Sequence, residues 1–401
     1  MSMNETPRAE RLHIGFFGRR NAGKSSLINA VTGQNVAVVS PVKGTTTDPV
    51  YKSMELLPLG PVVVIDTPGL DDNGELGKLR VQKAKQVMEK TNLGLLVADG
   101  LKGLSKHDRD LQKELQKRNI PFLTVMTKAD LVESGKQVAD THTIWVSAET
   151  GDNIHELKER LAALLPQEHT KPLVSDLIAP RDFVVLVTPI DAAAPKGRLI
   201  LPQQQVIRDV LEHGAIPVVT REQELSHTLS HLGKRPGLVI TDSQAFKQVA
   251  AETPLNIPLT SFSILFARYK GDLKAAVAGV TTLNHLENGD KLLISEGCTH
   301  HRQCEDIGTV KIPRWVRQYT GKEPEFVFSS GTGFPEDLRS FRLIVHCGAC
   351  MLNAREMQFR MGKAAEQGVP FTNYGILIAQ TQGILKRSVE MFPDIAALLE
   401  K

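Results

Sequence analysis

Aromatic side chains are scarce in this chain: two Trp, four Tyr and fourteen Phe among 401 residues. Binding of single-stranded nucleic acid by base stacking needs an aromatic platform, so that mode is disfavoured. A surplus of charge is missing too. The 48 basic and 45 acidic residues leave +3, too weak a field to grip a phosphate backbone, and no nucleic-acid partner is expected. No apolar run approaches the roughly 18 residues that span a bilayer, and Met1 to Arg11 is polar and charged rather than a hydrophobic leader. The composition therefore predicts a cytoplasmic protein without a membrane partner. Cysteine is absent until late: all four fall between Cys298 and Cys350, mixed with His300, His301 and His346. In a reducing compartment, such a cluster with CxxC spacing points to metal ligands or redox thiols rather than disulfides.

What is present organises into three blocks, each expected to be an α/β domain. From Leu12 to about Glu168, short β-rich runs (His13–Phe17, Val62–Asp66, Leu93–Val97, Phe122–Thr127, Thr143–Val146) alternate with helical patterns at Ser25–Val31, Gly77–Glu89, Lys106–Arg118 and Asn153–Leu164. That βαβα order predicts a mainly parallel sheet covered on both faces, occupying residues 1–170. Pro166 to Pro180 breaks the periodicity and reads as a linker. A small doubly wound block over 171–258 has strands near Phe183–Val187, Ile216–Val219 and Gly237–Thr241, a helix at Gln203–Leu211, and no glycine fingerprint. So small a sheet has edges to cover, and pairing with a second copy to form a homodimer is the economical way to do it. Residues 259–401 form the block that holds the cysteines, with strand-like runs at Lys291–Ile294 and Arg342–Val345 and helical patterns at Glu356–Gln367 and Val389–Leu399.

The first block carries a nucleotide switch. Gly18-Arg-Arg-Asn21-Ala-Gly23-Lys24-Ser25 follows a strand and opens a helix, as a phosphate-binding loop does. Its backbone N–H groups would close on the β-phosphate, Lys24 would meet the β/γ oxygens, and Ser25, followed by Ser26, would coordinate Mg²⁺. Asp66-Thr67-Pro68-Gly69 ends a Val-rich strand, so Asp66 can reach Mg²⁺ through water and the Gly69 N–H can sense the γ-phosphate. Thr127-Lys128-Ala129-Asp130 follows the next strand but one: Asp130 would accept from guanine N1 and its amine, and the Lys128 stem would cover the ring. Ser147-Ala148-Glu149 would supply the contact to the guanine oxygen. The site is thus expected to bind GTP. Thr127 stands where the usual residue is Asn, removing an amide that normally ties this loop to the base and the phosphate loop. Lys43-Gly44-Thr45-Thr46-Thr47-Asp48 resembles the switch segment of tRNA-modification and ribosome-assembly GTPases, and that resemblance makes Thr46 the Mg²⁺-ligating threonine. Leu70 follows Gly69, so the water-orienting glutamine of Ras-like enzymes is missing and turnover should be slow. In the GTPases that this block resembles, an asparagine placed like Asn21 helps bind K⁺, which implies potassium-stimulated hydrolysis; Asn21 as a mere brace of the loop is the alternative.

Cys298-Thr-His300-His301 and His346-Cys347-Gly-Ala-Cys350 each follow a strand-like run. A helical pattern starting near Met351 would put the latter sulfurs near a helix N-terminus, where the dipole favours thiolates. Three chemistries fit the spacing: a structural zinc site of three Cys and one His, an iron–sulfur cluster on Cys298, Cys347 and Cys350, and a redox CxxC. Neighbours in an extended segment face opposite ways, so His346 and Cys347 would not both be firm ligands of one ion, and His346 reads as a weak ligand or a group behind the ligands. His300 reads as a fourth, labile ligand or as a hydrogen-bonding group, Cys304 as a loop thiol or alternatively a fourth ligand that would close the site, and His301 as a structural imidazole.

Cys-x-His and His-Cys-x-x-Cys, behind a GTPase block and a middle α/β block and before Val310-Lys-Ile-Pro-Arg-Trp315, closely resemble the [FeFe]-hydrogenase maturation GTPases over essentially the whole chain. That resemblance implies a [4Fe–4S] cluster on Cys298, Cys347 and Cys350 with one iron open or weakly ligated. It also implies a dimeric scaffold that receives a two-iron precursor made with radical-SAM maturases and delivers it to apo-[FeFe]-hydrogenase. A ribosome- or tRNA-acting GTPase with a zinc module, and a thiol oxidoreductase, remain as alternatives.

Overall fold

The computed structural model describes residues 6–34, 48–69, 75–133, 135, 137–138, 140–165, 171–190, 199–297, 306–331 and 333–399. The chain divides into two compact units, Met1–His169 and Thr170–Lys401. Lys43 to Thr47 with Thr46, Leu70, Cys298, His300, His301 and Cys304 lie outside the described residues.

The first unit runs β1 (Leu12–Phe17), α1 (Lys24–Thr32), β2 (Val50–Leu56), β3 (Gly60–Asp66), α2 (Glu75–Met88), β4 (Leu93–Asp99), α3 (Lys106–Lys117), β5 (Phe122–Thr127), β6 (Thr143–Trp145) and α4 (Ile154–Ala163). Its six strands lie in the order β2-β3-β1-β4-β5-β6, all parallel except β2, which pairs antiparallel with β3. Alternation along the central strands fills both faces: Ile14, Phe16, Val62 and Val64 pack with Leu27, Val31 and Leu157, while Phe17, Val63 and Ile65 pack with Val87, Met88 and Leu115. The edge strand β2 escapes the sequence pattern because most of its residues are solvent-facing.

The second unit continues with β7 (Phe183–Val187), α5 (Leu201–Glu212), β8 (Ile216–Thr220), α6 (Leu225–His231), β9 (Leu238–Thr241), α7 (Phe246–Glu252), β10 (Leu259–Ser261), α8 (Phe262–Lys270) and α9 (Leu273–Val280). It ends with β11 (Lys291–Glu296), α10 (Ile312–Thr320), β12 (Glu325–Ser330), β13 (Leu343–His346), α11 (Ala354–Glu366), β14 (Phe371–Asn373), α12 (Tyr374–Thr381), α13 (Leu385–Val389) and α14 (Pro393–Ala396). Two four-stranded sheets result, β10-β9-β7-β8 and β12-β11-β13-β14, every pairing parallel. One large apolar core is shared by both: Val184, Leu186 and Ile240 of one sheet and Leu292, Ile294 and Val345 of the other belong to it, with Leu265, Val277 and Leu377 from the helices; smaller clusters line the opposite face of each sheet.

Three expectations change. The supposed linker is partly docked: Leu173 and Val174 are buried, the Val174 and Ser175 amides donate to Asp209, and Arg268 grips Asp176 through two nitrogens. The helical pattern at Val389–Leu399 is interrupted between α13 and α14, where Pro393 has no N–H to give. The helix after the cysteines starts at Ala354, not near Met351, because Asn353 accepts the Glu356 amide and caps it there.

Candidate functional sites

The loop between β1 and α1 is shaped by close backbone approach. At Gly18 (φ +148) a Cβ would lie 2.2 Å from the Val97 carbonyl oxygen, so only glycine fits. Lys24, buried, turns its amine back into the loop, donating to the Gly18 and Arg19 carbonyls at 3.0 and 2.8 Å. With those carbonyls held inward, the loop's N–H groups are left for an anion. Asn21 is exposed with φ +57, and Ser26 is exposed one residue beyond Ser25.

Ser25 Oγ donates to Asp66 Oδ2 at 3.3 Å, while Asp66 Oδ1 is buried with no hydrogen-bond partner among the described residues. Burial pushes the Asp66 carboxyl above its usual range, against the pull of Lys24 and Ser25. A hydroxyl beside an orphaned carboxylate oxygen suits Mg²⁺ and its waters, which would supply the charge that burial withholds. Gly69 approaches the phosphate loop so closely that a Cβ would meet the Arg20 backbone nitrogen at 2.8 Å. Asp48 pairs with Lys83 of α2, and Arg19 pairs with Asp108 at 3.0 Å, a carboxylate that also closes the capping box at the start of α3.

The guanine loop corrects one inference from sequence. Thr127 does not leave the phosphate loop untied: its hydroxyl lies 2.7 Å from the Ala22 carbonyl oxygen and 3.1 Å from that of Ala98. Lys128, in left-handed backbone (φ +60), pins its amine to Asp99 at 2.7 Å. That pin fixes the stem expected to lie over the base. Asp130 is exposed on the following turn. Ser147 is buried, its hydroxyl accepting the Glu149 and Thr150 amides, so the half-buried Ala148 sits on a braced turn.

The second site lies where β13 ends. Ser295 of β11 pairs with His346 of β13, and the Cys347 amide donates to the Ser295 carbonyl at 2.8 Å. The Gly297 amide donates to Cys347 Sγ at 3.1 Å; Gly297 is the residue that precedes Cys298. Cys347 and Cys350 are each half-buried. Burial pushes the Cys350 thiol up, opposed by Lys270 and by the amides of Cys350 and Met351. The helix starts four residues beyond Cys350, not directly after it as expected from sequence, and Lys270 is the cation that acts on this thiol.

His346 is fully buried, and both its nitrogens are engaged. Arg360 can only donate, so its contact at 2.9 Å makes Nε2 the acceptor; Nδ1 therefore carries the proton and donates to the Cys347 carbonyl at 2.9 Å. Burial, aided by Arg360, lowers its pKa to about 3. In this arrangement neither nitrogen offers a lone pair to a metal, and the ring instead holds the cysteine loop. Sequence reasoning missed the supports of this loop: Lys270, Arg360, and the buried Glu296, which accepts the Tyr374 hydroxyl at 3.3 Å. With Tyr374 they come from four separate elements, α8, α11, β11 and α12, and no local spacing announces them.

Residues 13–128 match the model of the 50S ribosome-binding GTPase family. With the phosphate, Mg²⁺ and guanine elements above, this defines a P-loop GTPase that binds and hydrolyses GTP with Mg²⁺. Residues 173–271 match the hydrogen maturase F dimerization domain and residues 274–391 the hydrogen maturase F tetramerization domain. The chain belongs to the hydrogen maturase F family, GTPases of hydrogenase maturation, and its domain set is one for self-association. Among curated proteins it is similar to the tRNA modification GTPase MnmE of Legionella pneumophila (strain Paris), 34% identical over 170 residues, 40% of this chain and 36% of that one. The same protein from Bordetella petrii is 33% identical over 156 residues, 39% and 34% of the two chains. The chain thus spans about a third of the length of the curated relatives it matches. Among solved structures, Aquifex aeolicus Era bound to GDP·AlF4⁻ aligns with TM-score 0.35 and 19% identity, covering 55% of this chain and 98% of that one. Among the described residues no helix is long and apolar enough to cross a membrane.

Proposed function

We propose that this GTPase holds a [4Fe–4S] cluster on Cys298, Cys347 and Cys350 and serves as a scaffold and carrier. In this reading it receives a two-iron precursor made with radical-SAM maturases and passes it to apo-[FeFe]-hydrogenase. The observation that carries the reading is the join of β11 and β13. The strand leading to Cys298 lies beside the strand leading to Cys347, and the amide of Gly297, just past its end, donates to the Cys347 sulfur. Amide donors aimed at half-buried sulfurs stabilise thiolates, the form that ligates iron. An iron with an incomplete protein ligand set supplies a site where cargo can bind and leave; the residues here hold the sulfurs, exclude water and set the charge. His300 is proposed as the labile fourth ligand. Turnover is proposed to be slow and stimulated by K⁺ at Asn21, with GTP governing release of partners through differential affinity for two states.

Purification without oxygen should yield about four irons and four sulfides per chain, an EPR signal after reduction, and loss of both in Cys347→Ser with GTP hydrolysis intact. The loaded chain should then support activation of apo-hydrogenase. Stoichiometric zinc with no cluster after reconstitution would overturn this and favour the RNA-linked GTPase with a zinc module.

A further inference from the structure

We infer that Lys270 is the built-in counter-charge of the cysteine loop, and that it sets the reduction potential and the retention of the cluster held there. The inference rests on the cluster reading above. Lys270 is the last residue of α8, a helix whose buried face is Phe262, Ile264, Leu265 and Phe266. Only 2% of it is exposed, and a buried ammonium is costly unless its surroundings compensate. Its amine donates to the Leu352 carbonyl at 3.0 Å and approaches that of Ala349 at 3.5 Å, the two residues that bracket Cys350 and Met351. The face of Phe266 lies 5.6 Å away.

Hydrogen bonding to two carbonyls does not by itself require a charge, since a neutral donor would serve. The charge gains meaning from what lies on the other side of the turn. Cys347, Gly348 and Ala349 share with Lys270, Phe266 and Ala267 a cavity of only about 20 Å³, room for one water at most. In so dry a place an ammonium is poorly screened from the sulfurs. A cluster on three thiolates is anionic and gains one more negative charge on reduction, so a fixed cation favours the reduced form and tightens binding in both. Among the described residues, Arg360 is a second buried cation near the loop, paired with Glu356 at 2.9 Å.

The test is a redox titration followed by EPR on the reconstituted full-length chain and its Lys270→Gln and Lys270→Met variants, with iron release to a chelator measured in parallel. Both variants should lower the midpoint by a decade in the reduction equilibrium, about 59 mV for one electron, and should lose iron several-fold faster. Lys270→Arg should stay close to the unaltered chain, and GTP turnover should not change in any of them. Folding of each variant is checked by the thermal melt of the apo chain. Lys270→Gln keeps a donor, so it stands in if Lys270→Met does not fold. If Lys270→Gln folds, holds the cluster and shows the unaltered midpoint and release rate, the inference fails while the cluster reading stands. If the unaltered chain takes up zinc and no iron, both fall together.

Discussion

The phosphate loop and the cysteine loop are built on one plan. Each leaves the end of a parallel strand, makes a turn through positive φ (Asn21 in one, Ala349 in the other) and leads to a helix. In each a buried lysine amine draws carbonyls inward: Gly18 and Arg19 for Lys24, Ala349 and Leu352 for Lys270. Turning carbonyls toward a cation frees amides for an anion, a phosphate in the first case and a sulfur in the second. The difference lies in where the lysine comes from. Lys24 is six and five residues from the carbonyls it holds, Lys270 is 79 and 82 residues away.

That difference can be pressed experimentally. The largest effect should come from Lys24→Ala, which removes the charge on the β/γ oxygens: GTP hydrolysis should fall by roughly a hundred-fold or more, with iron and sulfide content unaltered. Maturase complexes of that variant that still responded to GTP as usual would remove nucleotide control of partner release. A smaller effect, several-fold to tens of fold by our reading, about 1–2 kcal/mol of barrier, is expected when K⁺ replaces Na⁺ in the assay. Asn21→Ala should erase that dependence, and equal rates in the two salts would end the potassium proposal. The smallest concerns the tether. Thr127→Val keeps the shape but loses the hydroxyl on Ala22, a hydrogen bond worth about 1 kcal/mol, so GDP affinity measured by calorimetry should weaken about five-fold. An unchanged affinity would show that the tether does not matter to binding.

The same contrast explains what could be read in advance. The nucleotide loops were legible because each packs its chemistry into four to eight consecutive residues between a strand and a helix, and the central strands because they are apolar throughout. The tether through Thr127 was not, since a hydroxyl reaching Ala22 is visible only once β5 lies near the phosphate loop. Cys347, Cys350 and His346 could be picked out by residue type, yet the role of His346 depends on Arg360, fourteen positions on, and that pairing has no signature in spacing. Strands β10 and β14 have three residues each, too few to show a period, and they exist because their neighbours supply the hydrogen bonds.

The second unit carries two family models, and its main apolar core runs through both. Leu186 and Ile240 on one sheet share their burial with Leu292 and Val345 on the other, so a cut near Gly271 would leave each fragment with a bare apolar face. A fragment of this kind would tend to associate through the exposed interior, and its oligomeric state would report the cut rather than the native assembly. For the same reason the dimerization domain and the tetramerization domain, which bears the cysteines, are mechanically joined. Strain applied at either sheet must be accommodated by the same packed side chains.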